Sequence, residues 1–221
     1  MTKENNAKNL AILILIGGRS TRFGTEKAII ELLGKPLILH QIETLSKIDQ
    51  DIFLVAHSEE QIFQYRKEID FPKAVTFIVD DRSMFKHPKM FKPMLGIFSG
   101  FQELSRANFK KAFVLSCDMP LIRPEVIKLM IEQANGYECV IPRWKNGFLE
   151  PYLAIYPVEK GLLKAKEILM NENYGLLNLI DKNWNINFVS VEEKIQPLDK
   201  NLVSLINIKG PIDLVKLSKL Y

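Results

Sequence analysis

The chain has 221 residues, of which 47% are hydrophobic and 25% are charged. This composition is ordinary for a globular protein and excludes a disordered, collagen-like or low-complexity chain. The net charge of +4, from 30 basic and 26 acidic residues, is too small to indicate binding to nucleic acid. No Gly/Ser-rich linker divides the sequence, so we expect a single domain over residues 1–221.

Targeting and redox features are sparse. The apolar run Leu10–Ile16 is too short for the core of a signal peptide or for a membrane span, so we expect neither a leader nor a membrane contact. Cys117 and Cys139 are too few and too far apart for a zinc or redox motif. Unpaired thiols are typical of a reducing compartment, and we therefore predict a cytoplasmic protein.

Apolar runs alternate with amphipathic segments over the first two thirds of the chain. The predicted strands are Leu10–Ile16, Ile52–Ala56, Val75–Val79, Ala112–Cys117 and Cys139–Ile141, and helices are predicted near Pro36–Lys47, Glu59–Ile69, Met94–Ala107 and Pro124–Ala134. This alternation predicts an α/β fold with a three-layer, mostly parallel, doubly wound sheet. Such sheets bind ligands beyond the carboxyl ends of their strands, which brings four segments to one site. They are the loop after the first strand, His57-Ser58, Asp80-Asp81 and Asp118.

The rest of the chain is less regular. We predict strands at Glu150–Pro157, Asn187–Val191 and Leu202–Ile208, and helices at Val158–Met170, Tyr174–Ile180 and Pro211–Lys219. We expect these elements to add a second lobe to the same sheet.

The segment Leu15–Lys27 is the most informative part of the sequence. Its three glycines, Gly17, Gly18 and Gly24, allow backbone N–H groups to approach a ligand closely. Its three cations are Arg19, Arg22 and Lys27. Backbone N–H groups and cations on one loop suit a polyphosphate, although the spacing is neither that of a P-loop nor that of the dinucleotide fingerprint. The alternative is a glycine-rich turn with a solvated basic rim.

This segment resembles the signature of the molybdenum cofactor guanylyltransferase family, which reads L-A-G-G-x-S-x-R-M-G-x-D-K. The matching residues are Leu15, Gly17, Gly18, Ser20, Arg22, Gly24 and Lys27, whereas Ile16, Phe23 and Glu26 replace Ala, Met and Asp. The resemblance implies a Rossmann-like nucleotidyltransferase fold. It also implies that Leu15, Ile16, Gly17, Gly18, Ser20 and Lys27 bind a nucleotide, and that Lys27 and Arg22 are catalytic.

A second motif, Leu115-Ser-Cys-Asp-Met-Pro120, follows the fourth predicted strand. A carboxylate at the tip of a parallel strand suits Mg²⁺, which prefers oxygen ligands and substrate phosphates. An Asx-turn that leaves the strand is the alternative. The family carries a C-D-x-P motif here, which implies that Asp118 holds the metal, contacts the nucleotide and is catalytic.

A third motif lies after the third predicted strand. The family has a nucleotide-binding Asp that aligns with Asp80, although an ordinary strand-ending turn is the alternative. Lys92-Pro-Met-Leu-Gly96 then resembles the family's G-P-L-x-G. The connection from Asp81 to Lys92 is longer than we expect of the family, and long loops at strand ends are often lids. We predict that it closes over the substrate and brings Lys86, Lys89 or Lys92 to the acceptor.

The segment Leu205–Leu214 resembles the family's closing F-x-N-I-N-T-P-E-D-L. The resemblance implies that Asn207 binds the acceptor substrate. Lys209 replaces the second Asn and could meet a phosphate as a point charge, or it could belong to a turn before a helix. Tyr152 and Tyr156, in a stretch that resembles x-P-L-x-A-x-Y, are expected on one face of a strand, facing either a pterin ring or the core.

These motifs together imply a Mg²⁺-dependent enzyme that transfers GMP from GTP to the phosphate of molybdopterin and releases pyrophosphate. Residues 1–120 would hold the donor and residues 121–221 the acceptor, with transient contact to cofactor-handling proteins. Val55 stands where the family offers an Asn to the donor, so a transferase that uses CTP or another phosphorylated acceptor is an alternative. A non-catalytic nucleotide-binding module is another, although retention of Lys27 and Asp118 argues against it.

Overall fold

A computed structural model describes residues 8–20, 22–48, 50–84 and 92–219. Within these ranges seven strands form one sheet. They are β1 (Lys8–Leu15), β2 (Asp51–Ala56), β3 (Val75–Val79), β4 (Phe109–Ser116), β5 (Cys139–Arg143), β6 (Leu153–Pro157) and β7 (Ile186–Ser190). Their order across the sheet is β7-β5-β6-β4-β1-β2-β3.

The sheet is mostly parallel. Strand β1 pairs in parallel with β2 on one side and β4 on the other, whereas β6 runs antiparallel to its neighbours β4 and β5. Side chains of β1 alternate between two cores, with Ile12 and Ile14 on one face and Ala11 and Leu13 on the other. A strand that is buried on both faces is apolar throughout, which explains the continuous run that begins at Leu10.

Helices cover both faces of the sheet. They are α1 (Leu37–Leu45), α2 (Glu59–Glu68), α3 (Pro93–Arg106), α4 (Pro124–Glu132), α5 (Val158–Met170) and α6 (Pro211–Ser218). Helices α1, α2 and α4 contribute to the core that contains Ile12, and α3 and α5 to the core that contains Leu13. Helix α6 packs through Leu217 in a third, smaller cluster with Leu37 and Ile208. The predicted three-layer α/β fold is therefore confirmed.

The predicted strands and helices of the first two thirds are confirmed to within a few residues, whereas two later predictions are wrong. The segment predicted as a strand at Leu202–Ile208 contains only a short 3-10 turn, Val203–Leu205. The predicted helix Tyr174–Ile180 is reduced to the 3-10 turn Leu176–Leu179. Leu202 has a φ of +51°, a left-handed conformation that a β-strand does not use.

The prediction that Tyr152 and Tyr156 share one face of a strand is also wrong, although Tyr156 does pack in the core. Strand β6 begins at Leu153, one residue after Tyr152, so the expected alternation does not apply to that residue. Tyr152 packs on the core that contains Ile12, and Tyr156 is buried in the opposite one.

Among the described residues, no helix combines the length and the apolar character that crossing a bilayer would need. Both cysteines, Cys117 and Cys139, are buried free thiols. The single-domain organisation stays a prediction.

Candidate active site

The glycine-rich segment folds back on itself at the carboxyl end of β1. The Ile16 N–H donates to the Val55 carbonyl at 2.9 Å, and the Lys27 N–H donates to the Gly18 carbonyl at 3.1 Å. A Cβ atom added to Gly17 would lie 3.2 Å from the His57 backbone nitrogen, so the backbone passes β2 at a distance that favours glycine. Gly24 adopts a φ of +69°, which also favours glycine. The fold of the loop thus explains these two glycines and brings Lys27 back beside Gly18.

Side chains of helix α2 hold this loop in place through buried polar groups. The Gln61 side-chain amide donates to the Glu26 carboxylate at 2.8 Å and to the Tyr65 hydroxyl at 2.9 Å. That hydroxyl lies 3.2 Å from the Ile16 carbonyl oxygen. Gln61 also accepts the His57 N–H at 2.9 Å. Buried polar groups that satisfy one another hold a single conformation, and this set fixes the residue that precedes Lys27.

Lys27 and Asp118 form an ion pair across the site, with 2.7 Å between Lys27 Nζ and Asp118 Oδ2. The side chains are 27% and 12% exposed. The second carboxylate oxygen, Asp118 Oδ1, is buried and accepts no hydrogen bond from the described part of the chain. A buried carboxylate oxygen of this kind has free capacity for a cation.

These groups line one cavity of about 490 Å³ at the carboxyl ends of β1, β2, β3 and β4. Its lining residues are Leu15, Gly17, Gly18, Lys27, Val55, Asp80, Lys92, Pro93, Gly96, Ser116, Cys117, Asp118 and Tyr152. Of the four segments predicted to converge at this edge, the glycine-rich loop, Asp80 and Asp118 contribute to the cavity lining, whereas His57 and Ser58 are not among the lining residues.

One wall of the cavity combines apolar side chains with Asp80. A Cβ atom added to Gly96 would lie 3.2 Å from Leu15 Cδ2, 3.5 Å from Asp80 Oδ1 and 3.6 Å from Val55 Cγ1. Burial raises the pKa of Asp80 to about 7, against the opposing charge of Arg82. A carboxyl group that titrates near neutral pH in a cleft is typical of a functional site.

The segment before α6 packs against Asp118. The Ile208 N–H donates to the Asp118 carbonyl at 2.8 Å, and Arg22 Nη1 donates to the Lys209 carbonyl at 3.3 Å. The Asp213 carboxylate accepts the N–H groups of Lys209 and Gly210 at 2.9 and 3.0 Å. This segment therefore contacts the backbone of Asp118, although none of its residues lines the cavity.

A second polar group lies at the same edge, at the carboxyl end of β5. Trp144 Nε1 donates to Glu150 Oε1 at 2.7 Å, and the Glu150 N–H donates to the Pro142 carbonyl at 3.0 Å. Burial raises the pKa of Glu150, while the Trp144 hydrogen bond and the charge of Lys209 lower it. Burial and the charge of Asp118 raise the pKa of Tyr152 to about 12. Tyr152, two residues after Glu150, lines the cavity.

The structure distributes the predicted site residues over three places. Leu15, Gly17, Gly18, Lys27, Asp80 and Asp118 line the cavity. Ile16 is buried in the core, and Arg22, Asn207 and Lys209 lie on or beside the C-terminal segment. The side chain of Ser20 lies outside the described residues, as do Lys86 and Lys89, so the lid stays a prediction; Lys92 lines the cavity.

Several functional candidates were not predicted. Glu26, Gln61 and Tyr65 form the support of the loop, and Glu150 and Trp144 form the second polar group. Only the Glu26 replacement in the signature gave a hint of the first group.

The described residues contain no cluster of three or more His, Cys, Asp or Glu that could hold a metal ion alone. Asp118 therefore offers one carboxylate, which fits Mg²⁺ because that ion takes its other ligands from substrate phosphates and water. Together, Lys27, the loop backbone and Asp118 are suited to bind a polyphosphate.

Comparison with known proteins agrees with this geometry. The family described as the MobA-like NTP transferase domain matches residues 12–183. A probable molybdenum cofactor guanylyltransferase from Methanosarcina mazei is 30% identical over 96% of this chain and 92% of its own length. One of the same name from Natranaerobius thermophilus is 32% identical over 96% of both chains.

A solved structure gives the same result. Molybdopterin-guanine dinucleotide biosynthesis protein A from Archaeoglobus fulgidus superimposes with a TM-score of 0.75 and 25% identity, over 95% of this chain and 97% of that one. The predicted resemblance and the predicted enzyme class, nucleotidyltransferase, are thereby confirmed. The chain belongs to the family of MobA-like NTP transferases.

Proposed function

We propose that this protein transfers GMP from GTP to the terminal phosphate of a molybdopterin-type acceptor, with Mg²⁺ as cofactor and pyrophosphate as the second product. The observation that carries the proposal is the pair Lys27–Asp118 beside the glycine-rich loop, in one cavity. A cation, backbone N–H groups and a carboxylate with a free oxygen match a metal-bound triphosphate. The names of the relatives support the guanine donor and the molybdopterin acceptor.

The reaction asks mainly for positioning and charge neutralisation. An oxygen of the acceptor phosphate attacks the α-phosphorus of the donor, a new P–O–P linkage forms, and the bond to the leaving pyrophosphate breaks. The nucleophile is already an anion, so the protein needs no general base. Its first task is to hold two anions together, which costs electrostatic energy unless fixed cations and dipoles compensate for it.

The chain divides this task among its residues. Lys27 and the backbone of Gly17 and Gly18 would hold the donor phosphates. Asp118 would hold Mg²⁺, which when bound neutralises phosphate charge. Lys27 would then exchange part of its contact with Asp118 for a contact with phosphate. Arg22 and Lys209, which are linked through the Lys209 carbonyl, would offer positive charge to the acceptor phosphate, and Asn207 a polar contact.

One observation weakens the assignment of a guanine donor. Val55 lines the cavity beside Asp80, so this wall offers an apolar side chain where the family offers an amide. Loss of that amide removes a group that could hydrogen-bond to the donor. A CTP-dependent transferase, or one with another phosphorylated acceptor, is therefore the second candidate. Location in the cytoplasm and transient contacts with cofactor-handling proteins stay predictions.

A thermal-shift panel of GTP, CTP, ATP and UTP, with and without Mg²⁺, tests the donor. We expect GTP with Mg²⁺ to give the largest shift, followed by pyrophosphate release when molybdopterin is added. Asp118→Asn keeps the side-chain shape and the backbone contact to Ile208, so it should retain the fold. In this variant Mg²⁺ should no longer increase the thermal shift that the nucleotide gives. A larger shift with CTP would overturn the guanine assignment alone. If a nucleotide binds but no combination of nucleotide and acceptor releases pyrophosphate, a non-catalytic module is favoured.

A further inference from the structure

The Trp144–Glu150 pair is a built polar site that the donor chemistry does not use. Both side chains are half-buried, and the indole N–H fixes Glu150 Oε1 at 2.7 Å. Within the described residues, Oε1 is the oxygen of this carboxylate that accepts a hydrogen bond, and Oε2 accepts none. An ionised carboxylate has about four lone-pair sites, so Glu150 keeps acceptor capacity on a carboxylate that is already fixed in orientation.

The pair lies at the same edge of the sheet as the cavity, on the side of β5, although neither residue is among those that line it. Glu150 is anchored to Pro142 near the end of β5, a strand that runs parallel to β4 and therefore ends at the same edge as Asp118. Tyr152, two residues further on, lines the cavity itself. Lys209 is close enough for its charge to act on Glu150. By contrast, Val55, Gly96 and Asp80 form the wall on the side of β2 and β3.

A purely structural role does not require a charge here. Burying an ionised carboxylate is costly unless it is paired and hydrogen-bonded, and a glutamine oxygen would accept the same indole N–H. Lys209 supplies part of the compensating charge, and a ligand with N–H donors would supply the hydrogen bonds that Glu150 Oε2 lacks within the described part of the chain. Two adjacent donors on one ring edge match the two oxygens of a carboxylate.

We propose that Glu150, oriented by Trp144, recognises the acceptor by accepting hydrogen bonds from the 2-amino group and the N3–H of a pterin ring. This inference rests on the proposed function, because it assigns the ring of the acceptor to this side of the cavity. Glu150 would select ring systems that carry a 2-amino group and reject those with a carbonyl oxygen in its place. Arg22 and Lys209 are then placed for the phosphate of the same molecule.

Two soluble ring probes test the selection without turnover. Binding of 6-hydroxymethylpterin and of 6-hydroxymethyllumazine, which has a carbonyl oxygen instead of the 2-amino group, is measured by titration of the full chain. We expect the parent protein to prefer the pterin at least tenfold, and Glu150→Gln to reduce that preference to less than about threefold, since hydrogen bonds to charged groups are the stronger ones.

Glu138→Gln is the matched control. Glu138 is also half-buried and accepts a backbone hydrogen bond, from the Asn185 N–H at 3.0 Å, but it precedes β5, so this variant removes an equal charge at the opposite end of that strand. It should keep the full preference for the pterin. If Glu150→Gln fails to fold, Trp144→Phe serves as the second variant, because it removes the hydrogen bond that orients the carboxylate and should also reduce the preference.

Guanine carries a similar donor pair, so the donor must be measured in parallel. The affinity of Glu150→Gln for GTP with Mg²⁺ should equal that of the parent. An unchanged ring preference, or a loss of GTP affinity with the ring preference intact, would overturn the inference. Failure of the proposed function gives a different result, namely no pyrophosphate from GTP and molybdopterin with the parent protein, whatever the ring preference.

Discussion

The ion pair between Lys27 and Asp118 is the central residue-scale feature of the candidate site. Its 2.7 Å separation means that each side chain restrains the other at the cavity wall. The Lys27 backbone is fixed separately, through its N–H to Gly18. The lysine side chain can therefore be removed without opening the loop.

Lys27→Ala should weaken binding of the donor nucleotide and slow turnover. A lost hydrogen bond to a charged group costs about 1.5–3 kcal/mol, and we expect a loss of binding free energy of that size by calorimetry with GTP and Mg²⁺. Lys35→Ala is the control, because Lys35 forms an exposed ion pair with Glu43 and such pairs contribute about 0–1 kcal/mol. Equal nucleotide affinity in both variants would show that the loop is not the phosphate site.

Asp80 should make the stability of the protein depend on pH. Its pKa is raised to about 7, so between the unfolded pKa near 3.8 and pH 7 the folded chain binds more protons than the unfolded one. Stability must then fall as the pH rises through this window and level off above it. In Asp80→Asn this decline should be absent, which thermal unfolding of both proteins from pH 4 to 8 would reveal. Parallel curves would mean that Asp80 is ionised throughout.

Helix α3 contains two glycines whose surroundings can be compared directly. Gly96 faces the cavity, whereas Gly100 lies against β1, where an added Cβ would come within 2.5 Å of Leu13 Cδ2. The same helix therefore approaches the side chains of the cavity wall at one glycine and Leu13 of the sheet at the other.

Gly96→Ala should lower donor affinity while the protein stays folded. The added methyl group would occupy space between Leu15, Val55 and Asp80, and alanine in a helix gains up to about 1 kcal/mol over glycine. Gly100→Ala should instead lower the free energy of unfolding by about 1–3 kcal/mol, the usual range for overpacking. Thermal unfolding and nucleotide titration of both variants separate the effects. Undiminished affinity in Gly96→Ala would place the donor elsewhere.

The sequence predicted those elements whose hydrophobic pattern also matches the tertiary structure. Strand β1 is one example, because both of its faces are buried. The segment 202–208 has an apolar pattern that also suits a strand, but the buried carboxylate of Asp199 accepts the Val203 and Ser204 N–H groups at 3.1 and 2.8 Å. These N–H groups are thereby used by a residue just before the segment, and no pattern of apolar residues reveals such a contact.

The same distinction applies to the site. Lys27, Asp80 and Asp118 were predictable because strand ends and a glycine-rich loop define them locally. The support of the loop was not, since Gln61 and Tyr65 lie on α2 and meet Glu26 only after folding. Glu150 belongs to this class only in part, because its partner Trp144 lies six residues away in the same connection, whereas Lys209 comes from the segment before α6.

At the scale of the whole molecule, the two halves of the chain share one sheet and one site. Strand β4 from the first half pairs with β6 from the second, and α3 packs on α5, where an added Cβ on Gly161 would lie 2.6 Å from Phe101 Cε2. The hydrogen bond from the Ile208 N–H to the Asp118 carbonyl also links the two halves. A ligand bound at Asp118 therefore acts on elements from both halves.

The protein should consequently unfold in a single cooperative transition that the donor shifts as a whole. A ligand at 100 times its dissociation constant adds about 2.7 kcal/mol, and each kcal/mol raises the Tm of a chain of this size by about 2–4 °C. We expect GTP with Mg²⁺ to raise the Tm by roughly 5–11 °C, with equal calorimetric and van't Hoff enthalpies. Two transitions, of which the nucleotide moves only one, would mean that residues 1–120 and 121–221 fold as separate domains. Lys27→Ala, measured at the same nucleotide concentration, should show a smaller rise in Tm because it binds the nucleotide more weakly. This result would show that the stabilisation comes from binding in this cavity.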